Sequence, residues 1–350
     1  MLQAQPSLNG NKPFDDTHIG RSEMQKNFRM DLRTFSEKDY NKYVKVDSVR
    51  DWSLVSWKDI GRPFEVKNYS IDRQQYEEEH RKPMSAHTSW QFFNRSFHEW
   101  FSKDVPLEQQ KEKEKFLASL TTLKPGEVKS ALGDVVRIHL WNYVHRIQDG
   151  IWDPRGKRAL FEGLNVSKPK ILFLGAAEGY EAMQLAAMYP GAKVVMVDYD
   201  EYCKTTRFEH FPDSYPFLGE NPLTGQRKVY YKDDLNIEYV VDDIRNLAYG
   251  KEFDIVISVG LLEHFPDEYK PEVIDWHRKF LKANGYVIMT TPRNQLRSRI
   301  YYNIFADVMN HTYRELMTVE QMGLYMYENG LDILKSGYIK VHNGIIAKVR

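Results

Sequence analysis

From Lys168 to Arg350, short runs that are apolar at nearly every position alternate with stretches of helical periodicity. The runs are KILFL (170–174), VVMV (194–197), IEYVV (237–241), FDIVISV (253–259) and YVIMTT (286–291). Near-continuous apolarity is what a strand needs when helices cover both faces of its sheet. Between the runs, 180–188 and 272–281 are long enough to be crossover helices. Five such strand–helix steps predict an α/β fold with an open, doubly wound parallel sheet. Two further candidates, 331–336 and 338–349, lie too close together for a crossover helix and should pair antiparallel. The expectation is a mostly parallel seven-stranded sheet with an antiparallel last strand.

Upstream the pattern is different. Residues 1–25 are polar and rich in Asn, Gly, Pro and Asp, and read as a flexible arm. Residues 26–167 are mainly helical in pattern and form a lid or substrate region ahead of the 168–350 unit. Trp90, Phe93, Phe97 and Phe101 recur at helical spacing and make one aromatic face. Further helices are expected over 106–123 and 127–148. The aromatic face is either ordinary helical core or a lid over a substrate pocket. The stretch 210–234, with Pro212, Pro216, Pro222 and Gly225, reads as an irregular loop or hairpin.

Composition narrows the class. A chain of 350 residues suits two units or one enlarged α/β domain. Lysine plus arginine and aspartate plus glutamate are both 49, for zero formal charge. Before Lys168 there are 27 basic and 24 acidic residues, and from it onward 22 and 25. Neither half has the basic excess of a dedicated nucleic-acid binder, so a small-molecule partner is favoured. No stretch approaches a membrane span, and the opening residues lack an apolar signal-peptide core, so a cytoplasmic location is expected. The only cysteine, Cys203, excludes internal disulfides. Nothing in the sequence indicates an oligomeric state.

The first strand of the C-terminal unit runs into Gly175-Ala176-Ala177-Glu178-Gly179 and then a helix. Small residues at that point let a backbone approach a ligand at the carboxyl end of the sheet. The second strand ends in Asp198, nineteen residues beyond Gly179, where a carboxylate can accept two ribose hydroxyls. The third ends in Asp242-Asp243-Ile244, where a carboxylate beside a backbone N–H can read an adenine edge. The fourth ends in Gly260-Leu261-Leu262-Glu263-His264, and the fifth in Thr290-Thr291-Pro292. In this order and spacing, residues 168–350 resemble the class I S-adenosylmethionine-dependent methyltransferases. The resemblance implies S-adenosyl-L-methionine as cofactor and S-adenosyl-L-homocysteine as product. By the same likeness Gly175, Ala177, Gly179 and Gly260 line the cofactor, Asp198 holds its ribose, and Asp243 with Ile244 holds its adenine. Two positions depart from the family pattern. Phe173 stands where an acidic residue is common, and Ala177 where a second glycine is usual. The cofactor's amino group then falls to Glu178 or to backbone carbonyls.

Methyl transfer from a sulfonium is an in-line displacement, to which an enzyme contributes positioning, exclusion of water and sometimes a base. His264, at the rim after the fourth strand, is the first candidate base, or else a local cap of the next helix. His311 is the second. Some relatives use E-x-x-E-H in this segment to hold a metal, but Gly260 occupies the first position here, so no metal is expected. Arg293, Arg297 and Arg299 leave the rim after the fifth strand, followed by Tyr301 and Tyr302. They suit recognition of an anionic substrate, or else a solvated helix start. The function expected is methylation of an apolar or anionic small molecule. The alternatives are a peptide, protein or tRNA acceptor, or a binding subunit that does not methylate.

Overall fold

A computed structural model describes residues 14–15, 44–47, 51–67, 71–102, 163–211, 213, 217–220, 227–304, 310–339 and 341–350. In chain order the N-terminal elements are β1 (Phe14–Asp15), β2 (Val44–Asp47), α1 (Trp57–Ile60), β3 (Phe64–Val66), α2 (Ile71–His80) and α3 (Ala86–Ser102). Then come β4 (Lys170–Leu174), α4 (Tyr180–Met188), β5 (Lys193–Asp198), β6 (Phe217–Glu220), β7 (Arg227–Tyr230) and β8 (Asn236–Val241). The chain closes with β9 (Phe253–Val259), α5 (Lys270–Lys279), β10 (Leu281–Pro292), α6 (Leu296–Ile304), β11 (Arg314–Leu316), α7 (Val319–Glu328), β12 (Leu331–Ile339) and β13 (His342–Val349).

Eight strands form the main sheet in the order β2-β12-β13-β10-β9-β4-β5-β8. The inner pairs β10–β9, β9–β4, β4–β5 and β5–β8 are parallel, whereas β13 is antiparallel to both β10 and β12. Alternation along each strand sorts the core into two layers. On β4, Leu172 and Leu174 enter one layer with Val256 and Met289, while Ile171 and Phe173 enter the other with Met196 and Ile257. Both faces are therefore apolar, as the uninterrupted runs require. The carboxyl ends of β4, β5, β8 and β9 come together at one edge, and the site is built there.

The architecture departs from the sequence expectation in four places. The sheet has an eighth strand, β2, antiparallel to β12, which spares β12 an exposed edge. No α-helix follows β8; a 3₁₀ turn at Ile244–Asn246 leads toward β9 instead. The segment after β5 is a π-helical turn, Cys203–Phe208. Phe14–Asp15, within the expected arm, pairs with Arg227 and Lys228 of β7. The 210–234 segment contains the β6–β7 hairpin. The helices expected over 106–123 and 127–148 lie outside the described residues.

The described N-terminal elements are fastened onto the C-terminal sheet and its helices. β3 pairs antiparallel with β11. The buried Trp52 lies against Gly323 on α7, where an added Cβ would come within 2.0 Å of the indole. Only a glycine lets that ring lie on the helix. The Trp57 indole N–H donates to Glu328 at 2.9 Å. α3 crosses the carboxyl edge of the sheet through contacts described next.

Candidate functional site

The turn after β4 takes left-handed backbone at three residues, Gly175 (φ 66°), Ala177 (φ 47°) and Gly179 (φ 77°). Gly179 has a second reason to be glycine, because a Cβ there would lie 2.0 Å from the Met196 sulfur. Ala177 adopts the left-handed conformation despite its Cβ, at a cost of about 1–2 kcal/mol. Two hydrogen bonds hold it: its N–H donates to Asp198 Oδ2 at 3.0 Å, and its carbonyl accepts from the Tyr239 hydroxyl at 2.7 Å. These two contacts hold the left-handed turn with alanine at a position where the resemblance implies glycine. Asp198 Oδ1 accepts a second amide, from Asp200, at 3.1 Å. Burial raises the Asp198 carboxyl above its ordinary value, against the pull of those two amides.

A buried polar chain joins this turn to α3. Glu178 pairs with the Arg207 guanidinium, which donates to Asn94 Oδ1 at 3.2 Å. Asn94 in turn donates to Asp200 Oδ2 at 3.0 Å. Asp200 also turns the chain into the π-helical segment by accepting from the Tyr202 amide. Burial works against the Arg207 charge, yet Glu178 and its other neighbours leave the guanidinium fully protonated. Neither Asn94 nor Arg207 stands out in the sequence, since a lone Asn on a helix and an Arg in a mixed stretch carry no local pattern. Beside the chain lies a cleft of about 490 Å³, lined by His87, Gln91 and Arg95 from α3 and by Tyr199, Tyr202 and Val241 across from them. His87, Gln91 and Arg95 recur every four residues, so one helix face lines it.

At the end of β8, Asp243 caps the 3₁₀ turn and meets Arg245 through both carboxylate oxygens, at 2.6 and 3.0 Å. That hydrogen-bonded pairing lowers the Asp243 carboxyl. The Ile244 amide opens the turn, so no carbonyl within the turn accepts it. Gly260, at the end of β9, is left-handed (φ 69°), and an added Cβ would sit 3.2 Å from Glu263 Oε1.

The next segment places His264 under α3. Its ring meets Trp90 at 4.5 Å and Phe93 at 6.0 Å, centroid to centroid. Nδ1 lies 2.7 Å from the Tyr313 carbonyl, which can only accept, so Nδ1 carries the proton and Nε2 the lone pair. Burial, then the charge of Arg314, pushes the imidazole well below its ordinary value and keeps it neutral. Glu263 is buried as well, and burial raises its carboxyl to about 7 against the attraction of Arg314. Arg314 lies over the rings of Tyr302 and Phe93 and donates to the Tyr302 hydroxyl at 3.3 Å. It comes from β11, a three-residue strand with no sequence signature of its own.

The remaining residues singled out in the sequence scatter. His311 is buried beside Phe92, 6.2 Å away, and its carbonyl accepts from the Ser89 hydroxyl. Tyr302 joins Arg314, and Tyr301 stacks edgewise on Tyr302. Arg297 is exposed, Arg299 lies over Phe64 and bonds Asn294, and Arg293 is half-buried where its backbone bridges to Met317. Among the described residues no group of three or more His, Cys, Asp or Glu could hold a metal ion, and no helix is long and apolar enough to cross a membrane.

Comparison with known proteins adds a family. The model of a family described as a methyltransferase domain matches residues 138–336, more than half of the chain. No curated protein matches. Among solved structures, the chain is similar to a SAM-dependent methyltransferase from Aquifex aeolicus (15% identity, 57% of this chain and 91% of that one, TM-score 0.41). It is also similar to human N-acetylserotonin methyltransferase in complex with SAM (13% identity, 75% and 66%, TM-score 0.43). A third is the Burkholderia thailandensis 1,6-didemethyltoxoflavin-N1-methyltransferase (12% identity, 71% and 93%, TM-score 0.41). Identities and scores this low mark likeness only.

Proposed function

The chain belongs to the methyltransferase-domain family, and from that membership we propose that it is an enzyme using S-adenosyl-L-methionine to methylate a small-molecule acceptor. The observation that carries the reading is the left-handed turn Gly175–Gly179 with the Asp198 carboxylate locked against it. The residues present fit the cofactor. Each Asp198 oxygen accepts one backbone amide and keeps a second lone pair for a ribose hydroxyl. Gly175, Ala177 and Gly179 bring main chain, without bulk, to the methionine and ribose portion. Asp243, already held by Arg245, and the Ile244 amide offer an acceptor and a donor for adenine.

When bound, the cofactor supplies an electrophilic methyl group on a sulfonium. The chain's own residues do the rest. α3, fastened to the turn through Asn94, carries Trp90 and Phe93 over the same edge and excludes water from it. His264, anchored through Nδ1 to the Tyr313 carbonyl with Nε2 on the Glu263 side, is the base offered to an accepting oxygen or nitrogen, a weak one because burial favours its neutral form. Arg314, over Tyr302 and Phe93, favours a planar or anionic acceptor, a role the sequence suggested for Arg293 and Arg297. The near-zero charge of both halves supports a small molecule over a polyanion.

Methyl-labelled S-adenosylmethionine incubated with the protein and a fractionated cell extract tests the reading. Label is expected in the small-molecule fraction. Label only in protein or tRNA overturns the acceptor class, and absence of both label transfer and S-adenosylhomocysteine overturns the enzyme.

A further inference from the structure

Glu263 is 1% exposed, and among the described residues its Oε2 has no hydrogen-bond partner. A buried carboxyl oxygen in that state is unusual, because its desolvation is offset by no hydrogen bond of its own. Charged groups surround it without reaching that oxygen. Lys270 of α5 donates to the Phe265 carbonyl at 2.8 Å and pairs with Glu315 of β11 at 2.7 Å. Arg314 of β11 donates to Tyr302, and His264 Nε2 stands 3.8 Å from the other Glu263 oxygen.

Its position gives the orphaned oxygen a use. Glu263 Oε1 is 3.2 Å from where a Cβ on Gly260 would sit, at the carboxyl end of β9. β9 is hydrogen-bonded to β4, whose end is the Gly175 turn, and a Cβ on Gly175 would meet Leu261, two residues before Glu263. The acid therefore belongs to the same edge as the cofactor turn. The other acids available to that end are out of play. Position 173 is a phenylalanine sealed in the core, and Glu178 is committed to Arg207.

We propose that Glu263 is the anionic partner of the cofactor's α-ammonium group, supplied from the β9 side in place of the acid absent at position 173. The assignment rests on the cofactor reading above. An ammonium brings three donors and a positive charge to a carboxylate that has an oxygen to spare, so the contact is charge-assisted. The free protein holds Glu263 near its midpoint at neutral pH, and the cation draws the group to its ionised form. Binding then releases a proton, and affinity rises as pH rises through about 7.

The test uses the full chain and two ligands, S-adenosylhomocysteine, which carries the ammonium, and 5′-methylthioadenosine, which lacks the amino-acid tail. For Glu263→Gln, calorimetry is expected to show about 10- to 100-fold weaker S-adenosylhomocysteine binding. Methylthioadenosine should stay within about twofold, since it makes no charge-assisted contact there. Titration of wild type in buffers of different ionisation enthalpy at pH 7 is expected to show release of about half a proton with the first ligand and none with the second. An equal loss for both ligands, or no preference for the tailed ligand in wild type, overturns the assignment. Should the variant fail to fold, the wild-type proton count decides alone, and absence of release between pH 6 and 8 overturns it. If wild type binds neither ligand, the cofactor reading falls, and this assignment with it.

Discussion

Gly179→Ala separates two costs that the cofactor turn imposes on one position. The first is conformational: φ 77° is left-handed backbone, and a Cβ there costs about 1–2 kcal/mol. The second is steric. The new methyl would sit 2.0 Å from Met196 Sδ and 2.7 Å from its Cε, and Met196 is fully buried on β5. Relieving such overpacking typically costs about 1–3 kcal/mol more. The substitution should therefore destabilise by about 2–5 kcal/mol, read from urea denaturation midpoints at constant m. Gly163 is the control, with φ 79° close to that of Gly179 and nothing within 4 Å of its virtual Cβ, so Gly163→Ala should show the first cost alone. Met196→Ala is itself costly, but in that background Gly179→Ala should fall to about 1–2 kcal/mol. The double-mutant cycle then reports a coupling of about 1–3 kcal/mol. Equal losses at Gly163 and Gly179, or a coupling near zero, would refute the claim that the Met196 side chain closes the underside of the turn.

Ala177→Gly relieves the left-handed alanine and should stabilise the protein by about 0.5–1 kcal/mol, once the added freedom of the unfolded chain is set against the strain removed; a loss of stability in denaturation would contradict the strain. Lys270→Met leaves the buried Glu315 beside an uncharged side chain, and should cost about 3–5 kcal/mol in the same assay. A neutral result there would mean that the lysine network does not hold the 262–270 segment. Glu263 has its carboxyl raised from 4.5 to about 7, so the unfolded chain ionises first as pH rises. Its favourable contribution is fully present below pH about 4.5 and is lost as pH passes through about 7. Relative to wild type, Glu263→Gln should therefore gain about 3 kcal/mol in unfolding free energy between pH 4.5 and 8, and an unchanged difference would refute the burial cost.

The parallel sheet was legible because its strands are buried on both faces, and burial of that kind leaves uninterrupted runs such as FDIVISV. α4 begins and ends where its pattern does, at Tyr180 and Met188. The eighth strand was not legible, since β2 is a four-residue stretch, VKVD, whose partner lies in β12 far along the chain. The missing helix after β8 has a similar cause: the Asp243 cap and 3₁₀ turn redirect the chain within three residues, too few to leave a periodicity. The placement of Asp198 beside the Gly175–Gly179 turn was readable because both sit at the ends of adjacent parallel strands. Asn94 and Arg207 were not, because each matters through partners on other elements. Along Arg293–Arg299, closeness in sequence does not give a shared environment. Arg297 is exposed, Arg293 is half-buried, and Arg299 lies over Phe64.

The measurement that tests the central claim most directly is calorimetric titration of S-adenosylhomocysteine into wild type and into Asp198→Asn. In the variant one of the two amides that Asp198 now accepts, from Ala177 or from Asp200, would face an N–H₂ group, and the ribose would lose an acceptor. Wild type is predicted to bind and the variant to bind at least about tenfold more weakly, the loss of a hydrogen bond to a charged group. No binding by wild type, or equal binding by both proteins, would contradict the assignment of this turn as a cofactor site.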